Sequence, residues 1–343
     1  MNVLVSVVIP VFNRKELLLS LIKSIINQSY RFLEIIVIDD CSTENIIEEV
    51  QKNYPVVKIA RCRRRFGPAF AKNLGGLKAR GKYILFFDSD IEIINKDMIK
   101  NMVEIAEHNN MIGQVGGLWA IKNGSYYGCG ENISLDGKSL VKAILLSEDN
   151  KEKIYNCEYI PTSNCFIERK KFFEVGGFDP YYIYGSEDKD FGYRIKKKGY
   201  INCFAMHTLI NHTISDIAGC KTRFYDYYRV KFRFLLKHSG IHMLLLSPCF
   251  DFMRKAIRIL GSIESRIINQ KKIRSTQVWS RLSRSRFQRG NLAVAYLKAV
   301  YWNIQMLRNT IDSSKINNLS AQHISKFVRY AERVKLFEEE VFY

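Results

Sequence analysis

The feature that most constrains the fold is an alternation of buried strands and amphipathic helices over the first 90 residues. Apolar and β-branched runs predict four strands, and each interval between them has the apolar spacing of a helix. The predicted strands are Val3–Val11, Glu34–Ile38, Val56–Ala60 and Tyr83–Phe87. The predicted helices are Arg14–Gln28, Glu44–Asn53 and Ala69–Ala79. This alternation favours right-handed crossovers. The sequence therefore predicts an α/β fold with a central, mostly parallel sheet flanked by helices.

Polar residues follow these strands at their carboxyl ends, where open α/β sheets bind ligands. Asn13 follows the first strand, Asp39 and Asp40 follow the second, and Asp88 and Asp90 follow the fourth. In an extended segment, residues two apart point to the same side, so Asp88 and Asp90 can face one small volume. Two carboxylates that also meet substrate phosphates suit Mg²⁺ or Mn²⁺, whereas the alternative is an ordinary polar turn.

Several protein classes are disfavoured. The chain has neither G-x-G-x-x-G after the first strand nor G-x-x-x-x-G-K-[ST], which argues against dinucleotide-binding and P-loop proteins. Its eight cysteines include no C-x-x-C pair, so we expect reduced core residues rather than a zinc site or disulfides. No apolar run reaches the ~18 residues of a membrane span, so we expect a cytoplasmic protein.

Positive charge is concentrated in the C-terminal part of the chain. Residues 221–343 contain 24 Lys and Arg against 8 Asp and Glu, out of 53 and 34 in the whole chain. Such an excess on helix-patterned sequence predicts an anionic partner, either the cytoplasmic membrane leaflet or nucleic acid.

Four sequence blocks lie at or near the ends of the predicted strands and in the third predicted helix. They are Val5–Asn13 (VSVVIPVFN), Ile36–Ser42 (IVIDDCS), Ala71–Gly75 (AKNLG) and Phe87–Asp90 (FDSD, a D-x-D motif). In order and spacing these blocks resemble the signatures of family 2 glycosyltransferases. Members of that family have the GT-A fold, with a Rossmann-like sheet, and transfer a sugar from a nucleotide donor with inversion.

The resemblance implies a set of donor and metal positions. Pro10 to Asn13 would border the nucleobase, and Asp40 would accept a hydrogen bond from a uracil or thymine N–H. Asp88 would lie near the ribose, while Asp90 would bind a Mn²⁺ or Mg²⁺ ion that bridges the diphosphate. The implied donor-binding residues are Pro10, Phe12, Asn13, Asp40, Lys72, Asn73 and Asp88. The implied metal ligands are Asp90, Asp88 and His212, with His207 as the competing histidine. Lys72 stands where the family usually has Arg, and Asp39 is expected to cap a turn.

A second acidic block lies about 100 residues after the D-x-D motif. Gly176–Asp179 (GGFD) and Glu187-Asp188 resemble the family's GGFD and ED motifs. The resemblance implies that Asp188, beside Glu187, is the catalytic base. Inverting transfer needs a carboxylate that removes the acceptor proton. The alternative is that both acids only cap a helix.

Two regions are harder to interpret. We expect acceptor-side loops in Gly124–Gly137. Tyr127 in this segment and Trp119 before it either stack on a sugar or pack in the core. Residues 1–240 are predicted to form the catalytic domain and 241–343 a basic helical region. In the latter, Phe252–Leu260 fits either a membrane-interface helix or a helical bundle, and Glu338–Glu340 is expected to be a solvated end.

The residues and the resemblance together predict a metal-dependent inverting glycosyltransferase. We expect it to use a UDP- or dTDP-sugar and a glycan or lipid-linked acceptor in surface polysaccharide synthesis, as a cytoplasmic or peripheral membrane protein. A peptide or protein side chain is an alternative acceptor. A nucleic-acid-binding protein, suggested by Arg281–Arg289, and an inactive scaffold of glycosyltransferase descent are alternatives of other classes.

Overall fold

The computed structural model describes residues 3–121, 125–128, 131–141, 153–182, 185–212, 224–243, 246–251, 253, 292–306 and 337–341. The helices are α1 (Lys15–Ile26), α2 (Ile46–Asn53), α3 (Pro68–Lys78), α4 (Met98–His108), α5 (Arg169–Glu174), α6 (Glu187–Lys197), α7 (Phe224–His238) and α8 (Leu292–Gln305). The first seven strands are β1 (Val5–Val11), β2 (Leu33–Asp39), β3 (Lys58–Cys62), β4 (Tyr83–Phe87), β5 (Ile91–Ile93), β6 (Ile112–Ile121) and β7 (Ser125–Gly128). The others are β8 (Glu131–Ile133), β9 (Ser139–Val141), β10 (Ile154–Cys157), β11 (Asn164–Glu168), β12 (Ile201–His212) and β13 (Phe337–Val341).

One large sheet contains 11 of the described strands, with the central order β10-β12-β6-β11-β4-β1-β2-β3-β13, while β8 and β9 form a separate two-stranded sheet. Strands β4, β1, β2 and β3 are parallel neighbours, and β12 is parallel to β6. The remaining ladders are antiparallel, with β5 pairing β12 and β7 pairing β6. The predicted α/β fold, with helices flanking a central sheet, is confirmed.

The strand order reverses between β1 and β4. Strands β2 and β3 extend the sheet on one side of β1, whereas β4 lies on the other side. At such a reversal, the loops that leave the carboxyl ends of the two central strands diverge and open a ligand-binding crevice. The loops after β1 and β4 are those that carry Asn13, Asp88 and Asp90.

The core has two layers because the central strands are buried on both faces. In β4, Leu85 and Phe87 belong to one buried cluster, whereas Ile84 and Phe86 belong to the other. Helices α1 and α4 supply the first cluster, and α3, α5 and α6 supply the second. The continuous apolar run in β4 is thus required by burial from both sides.

Several predicted boundaries are wrong. The strand predicted over Val56–Ala60 is Lys58–Cys62, and the helix predicted over Ala69–Ala79 is Pro68–Lys78. Part of the predicted loop region is β7, which pairs with β6. The predicted solvated end, Glu338–Glu340, lies in β13, which pairs antiparallel with β3. The physical reason for that error is that the edge of β3 offers unpaired backbone groups to a strand, which a run of glutamates does not reveal.

Contacts along the chain define two compact units. The first comprises Met1–Asn132, Ser139–Ser215 and Lys315–Tyr343, and the second comprises Ile133–Lys138 and Asp216–Ser314. The functional boundary that we predicted after residue 240 stays a prediction, and helix α7 belongs to the second unit. There α7 and α8 pack through Phe232, Leu235 and Ala299.

Some predicted features lie outside the described residues. They are the side chains of Trp119 and Tyr127, most of Phe252–Leu260, and Arg281–Arg289. Of the helices that the structure describes, none has the length and apolar character to cross a bilayer.

Candidate active site

An ion pair joins the loops that follow β1 and β4. Nη1 of Arg14 donates to Oδ2 of Asp90 over 2.8 Å. Arg14 has a φ of 67°, and Asn13 before it has a φ of 59°, so both adopt the left-handed region. The carboxylate of Glu44 accepts the backbone N–H groups of Arg14 and Lys15 at 3.1 and 2.7 Å, which caps the start of α1. These contacts hold Arg14 across the point where the strand order reverses. No motif or periodicity in the sequence indicates this role for Arg14 or Glu44.

Asp39 has the structural role predicted for it. Its Oδ1 accepts the backbone N–H of Ser42 at 2.8 Å, and Nε of Arg61 lies 3.6 Å from its Oδ2. The hydroxyl of Ser42 in turn accepts the backbone N–H of Asn13 at 2.7 Å. The loops after β1 and β2 are therefore fixed to each other. The side chain of Asn13 strengthens this link, because its Oδ1 accepts the backbone N–H of Thr43 at 2.9 Å.

Asp40 is held by the loop that precedes α3. Its two carboxylate oxygens accept the backbone N–H groups of Phe66 and Gly67 at 2.7 and 2.8 Å. Burial raises the pKa of Asp40 above its usual value, and these two hydrogen bonds offset only part of that effect. In the same loop, the guanidinium of Arg65 lies 3.9 Å from the centroid of the Phe12 ring. The predicted contact of Asp40 with a nucleobase stays a prediction.

A buried lysine joins the two acidic motifs. Nζ of Lys72, on α3, lies 3.3 Å from Oδ1 of Asp88, after β4, and 3.2 Å from Oε1 of Glu187, at the start of α6. It also bonds the hydroxyl of Thr162. Only 1% of the Lys72 residue is exposed, whereas the side chain of Asp88 is 35% exposed. The D-x-D and ED motifs therefore meet at a common cation.

The charge state of Lys72 follows from its carboxylate neighbours. Burial lowers the pKa of Lys72, but the negative charges of Asp88, Glu187 and Asp188 outweigh burial and raise the pKa above its usual value. The ammonium group is therefore protonated at neutral pH. Oε2 of Glu187 is buried with no hydrogen-bond partner among the described residues, so Glu187 depends on Lys72 for compensation of its charge.

The side-chain amide of Asn73 forms hydrogen bonds with the backbone of the GGFD segment. Its Nδ2 donates to the carbonyl of Phe178 at 2.7 Å, and its Oδ1 accepts the backbone N–H of Phe178 at 2.8 Å. This pair of bonds fixes α3 to the turn that precedes α6. The donor contact that we predicted for Asn73 stays a prediction.

Arg194 anchors the other side of the GGFD turn. Gly176 and Gly177 have φ values of 80° and 62°, which explains why the turn uses glycine. The buried guanidinium of Arg194 donates to the carbonyls of Val175 and Gly177 and to Oδ2 of Asp190 at 2.9 Å. The turn and the first half of α6 are thereby locked together, which fixes the positions of the acids at the start of the helix.

Asp188 occupies the first turn of α6, immediately after Glu187. The chain enters the helix through Gly185 and Ser186, whose φ values are 96° and 70°. Asp188 is half-buried, and its Oδ1 accepts the backbone N–H of Lys189 at 2.7 Å. Glu187 points into the buried cluster, whereas Asp188 is partly accessible. Asp188 is therefore the member of the pair that can meet a substrate.

The carboxylates that follow β4 suit a divalent cation whose other ligands come from a substrate. Asp88 and Asp90 follow β4 directly, and among the described residues no group of three or more His, Cys, Asp and Glu side chains converges to hold a metal unaided. Mg²⁺ and Mn²⁺ accept one or two carboxylates completed by phosphate oxygens, so the residues present fit such an ion. The ladder between β12 and β5 places the backbone of His212 opposite Ile91, next to Asp90, but the His212 side chain lies outside what is described.

Comparison with known proteins identifies the family. Residues 6–173 match the model for Glycosyl transferase family 2. Residues 6–173 form a domain of glycosyltransferase family 2. An uncharacterized glycosyltransferase of Rickettsia conorii is 41% identical over 110 residues, which cover 32% of this chain and 18% of the relative. The putative teichuronic acid biosynthesis glycosyltransferase TuaG of Bacillus subtilis is 31% identical over 104 residues, which cover 29% of this chain and 41% of the relative. The chain thus spans less than two thirds of either relative.

Two solved structures share the fold of this chain. GalNAc-T7 with UDP, GalNAc and Mn²⁺ has a TM-score of 0.56 at 22% identity, over 68% of this chain and 50% of that one. The mannosyltransferase PcManGT from Pyrobaculum calidifontis, in complex with GDP-Man and Mn²⁺, has a TM-score of 0.55 at 14% identity, over 93% and 88%. At these identities the similarity establishes the GT-A fold, as predicted.

Proposed function

We propose that this protein is an inverting glycosyltransferase that moves a sugar from a UDP- or dTDP-sugar to a glycan or lipid-linked acceptor in surface polysaccharide synthesis. The observation that carries the proposal is the buried Lys72, which links Asp88 of the D-x-D motif to Glu187 of the ED motif. A donor-side acid and an acceptor-side acid are thereby held at one site. The name of TuaG supports the polysaccharide part, and the UDP and GDP-Man in the structural neighbours support a nucleotide-sugar donor.

On the donor side, this chain presents charge at the end of β4. Asp88 and Asp90 would hold a Mn²⁺ or Mg²⁺ ion, which when bound neutralises the diphosphate of the donor as it leaves. Arg14, paired with Asp90, orients that carboxylate from across the crevice. The nucleobase would lie near Phe12 and Asp40, at the ends of β1 and β2. Asp40 then needs a free lone pair beside the two backbone bonds that it already accepts.

On the acceptor side, Asp188 acts as the general base. The acceptor hydroxyl oxygen forms a bond to the anomeric carbon as the bond from that carbon to the diphosphate oxygen breaks. The proton of the hydroxyl passes to the Asp188 carboxylate, and the nucleoside diphosphate leaves from the opposite face with inversion. Such a positioned base contributes about 10² to 10⁴ in rate. Lys72 and Glu187 do not touch the reacting atoms in this scheme; they fix the start of α6, which carries Asp188.

The test is release of nucleoside diphosphate from a panel of UDP-, dTDP- and GDP-sugars, with acceptor extracts, in Mn²⁺ or in EDTA. We expect one donor to be consumed, with the product lost in EDTA and in Asp90→Ala. Asp97→Asn is the matched control, because Asp97 is an exposed carboxylate seven residues further along the chain. Equal product from Asp90→Ala and wild type, with both folded by circular dichroism, would overturn the donor-site assignment.

A further inference from the structure

Helix α8 presents apolar side chains on two different faces. One face packs against α7, where Ala299 and Asn303 are fully buried, and Nδ2 of Asn303 donates to the carbonyl of Arg229 at 3.1 Å. The other face carries four large side chains whose exposed fractions are 45, 65, 63 and 59%. In chain order they are Val294, Leu297, Tyr301 and Ile304, which we term the α8 stripe.

The α8 stripe is continuous along the helix. Its members are spaced by three, four and three residues, so they lie on one side, over about 15 Å of helix. In the sequence of α8, Lys298 is the single charged residue, and it is also exposed. A helix on the surface of a soluble domain would normally carry polar residues on this side. The exposed apolar stripe therefore indicates a surface that binds another molecule.

The charge around α8 in the sequence identifies the kind of occupant. Residues 265–311, which include the helix, contain ten Lys and Arg and no Asp or Glu. Asp and Glu make up 34 of the 343 residues in the chain, so a stretch of this length would ordinarily contain several acids. An apolar stripe within basic sequence is the composition that binds the interface of an anionic bilayer: apolar side chains enter the headgroup–acyl boundary, and Lys and Arg meet lipid phosphates.

Two other occupants fit less well. A second copy of the chain would bring its own exposed Lys298 to the same helix face, and four side chains fall short of the ~800 Å² per partner of a stable interface. Nucleic acid would account for the basic residues but not for exposed Leu297 and Ile304, since phosphate binding uses Lys and Arg. We infer that the α8 stripe is a docking face for an anionic phospholipid bilayer. This inference does not depend on the donor, the acceptor or the catalytic residues.

The inference is tested by co-sedimentation of the full chain with vesicles. One set is made of phosphatidylcholine alone, and the other contains phosphatidylglycerol as well. We expect wild-type protein to bind the anionic vesicles, to release them at high salt, and to bind the neutral vesicles weakly. The triple variant Leu297→Ser/Tyr301→Ser/Ile304→Ser should lose at least about tenfold in affinity, because it removes three apolar side chains from the bound face.

The matched control replaces three exposed apolar residues on other segments. Val56, Leu135 and Met111 are 81, 79 and 48% exposed, so Val56→Ser/Leu135→Ser/Met111→Ser removes a similar exposed apolar area. It should bind anionic vesicles as the wild type does. The inference is overturned if the α8 triple variant binds anionic vesicles equally well. It is also overturned if light scattering shows a wild-type dimer that this variant dissociates, or if the variant loses affinity for DNA but not for vesicles.

Discussion

Replacement of Lys72 by Met is expected to expose the dependence of the site on one buried charge. Lys72 is 1% exposed and compensates Glu187, whose side chain is 7% exposed. Met has a similar length and no charge, so the variant leaves Glu187 buried without a cation. Loss of one partner of a buried pair costs about 3–5 kcal/mol. The contact with the more exposed Asp88 adds less, because solvent screens it. We therefore expect the free energy of unfolding to fall by about 3 kcal/mol.

Urea denaturation followed by circular dichroism measures this loss. Lys82→Met is the matched control, because the Lys82 side chain is 46% exposed and its ion pair with Glu107, at 2.5 Å, lies at the surface. Such a pair contributes about 0–1 kcal/mol. In Lys72→Met/Glu187→Gln the uncompensated charge is removed, so the double variant should be more stable than Lys72→Met. A Lys72→Met protein that loses no more stability than Lys82→Met, or a double variant that is less stable still, would refute the reasoning.

Three further substitutions test the packing and electrostatics of the same domain. Burial alone raises the pKa of Glu34, but its hydrogen bonds, of which the one from Lys58 at 2.7 Å has the largest effect, lower the pKa overall. Ionised Glu34 therefore stabilises the fold at pH values above its usual pKa of 4.5. Glu34→Gln should cost about 1–2 kcal/mol at pH 7 in thermal or urea unfolding, and the difference from wild type should shrink as the pH falls below about 4.5; a constant difference would contradict it. Gly75→Ala should destabilise by about 1–3 kcal/mol, because the added Cβ would lie 2.2 Å from Cγ1 of Val8, and an unchanged melting temperature would show that α3 can move away from β1. Asp40→Asn should cost about 1–3 kcal/mol, since one of two backbone N–H donors then faces an amide NH₂, and increased protease cleavage in the loop before α3 would report it; wild-type resistance would argue against the contact.

Local patterns in the sequence were sufficient for the elements that positioned the candidate site. Strand β4 was predicted to the residue, because burial on both faces requires a continuous apolar run and the change to Asp88 marks its end. The turn-capping role of Asp39 followed from ordinary turn chemistry and is confirmed by its bond to Ser42. The edge strand β13 was missed, because its pairing with β3 depends on a vacant sheet edge rather than on its own glutamates.

Contacts between segments that are far apart in the chain could not be predicted from local sequence patterns. Lys72 and Glu187 are separated by 115 positions, and neither periodicity nor composition indicates that they meet. The same holds for Arg14 and Asp90, which are 76 positions apart. The resemblance to family 2 glycosyltransferases implied that the D-x-D and ED motifs serve one active site. That Lys72 lies between Asp88 and Glu187 is seen only in the three-dimensional structure. The two hydrogen bonds between the amide of Asn73 and the backbone of Phe178, 105 positions away, are likewise not indicated by local sequence.

The most direct test of the proposed division between donor-side and acceptor-side acids compares Asp188→Asn with Asp90→Ala in two assays of the same preparations. Donor affinity is measured by calorimetry in Mn²⁺, and turnover is measured with donor and acceptor. For Asp188→Asn we predict a donor Kd within about threefold of wild type and a turnover lower by about 10² to 10⁴, the contribution of a positioned base. For Asp90→Ala we predict loss of both donor binding and turnover. Retention of most of the turnover in Asp188→Asn, or loss of donor binding in that variant alone, would contradict the assignment of the base to the start of α6.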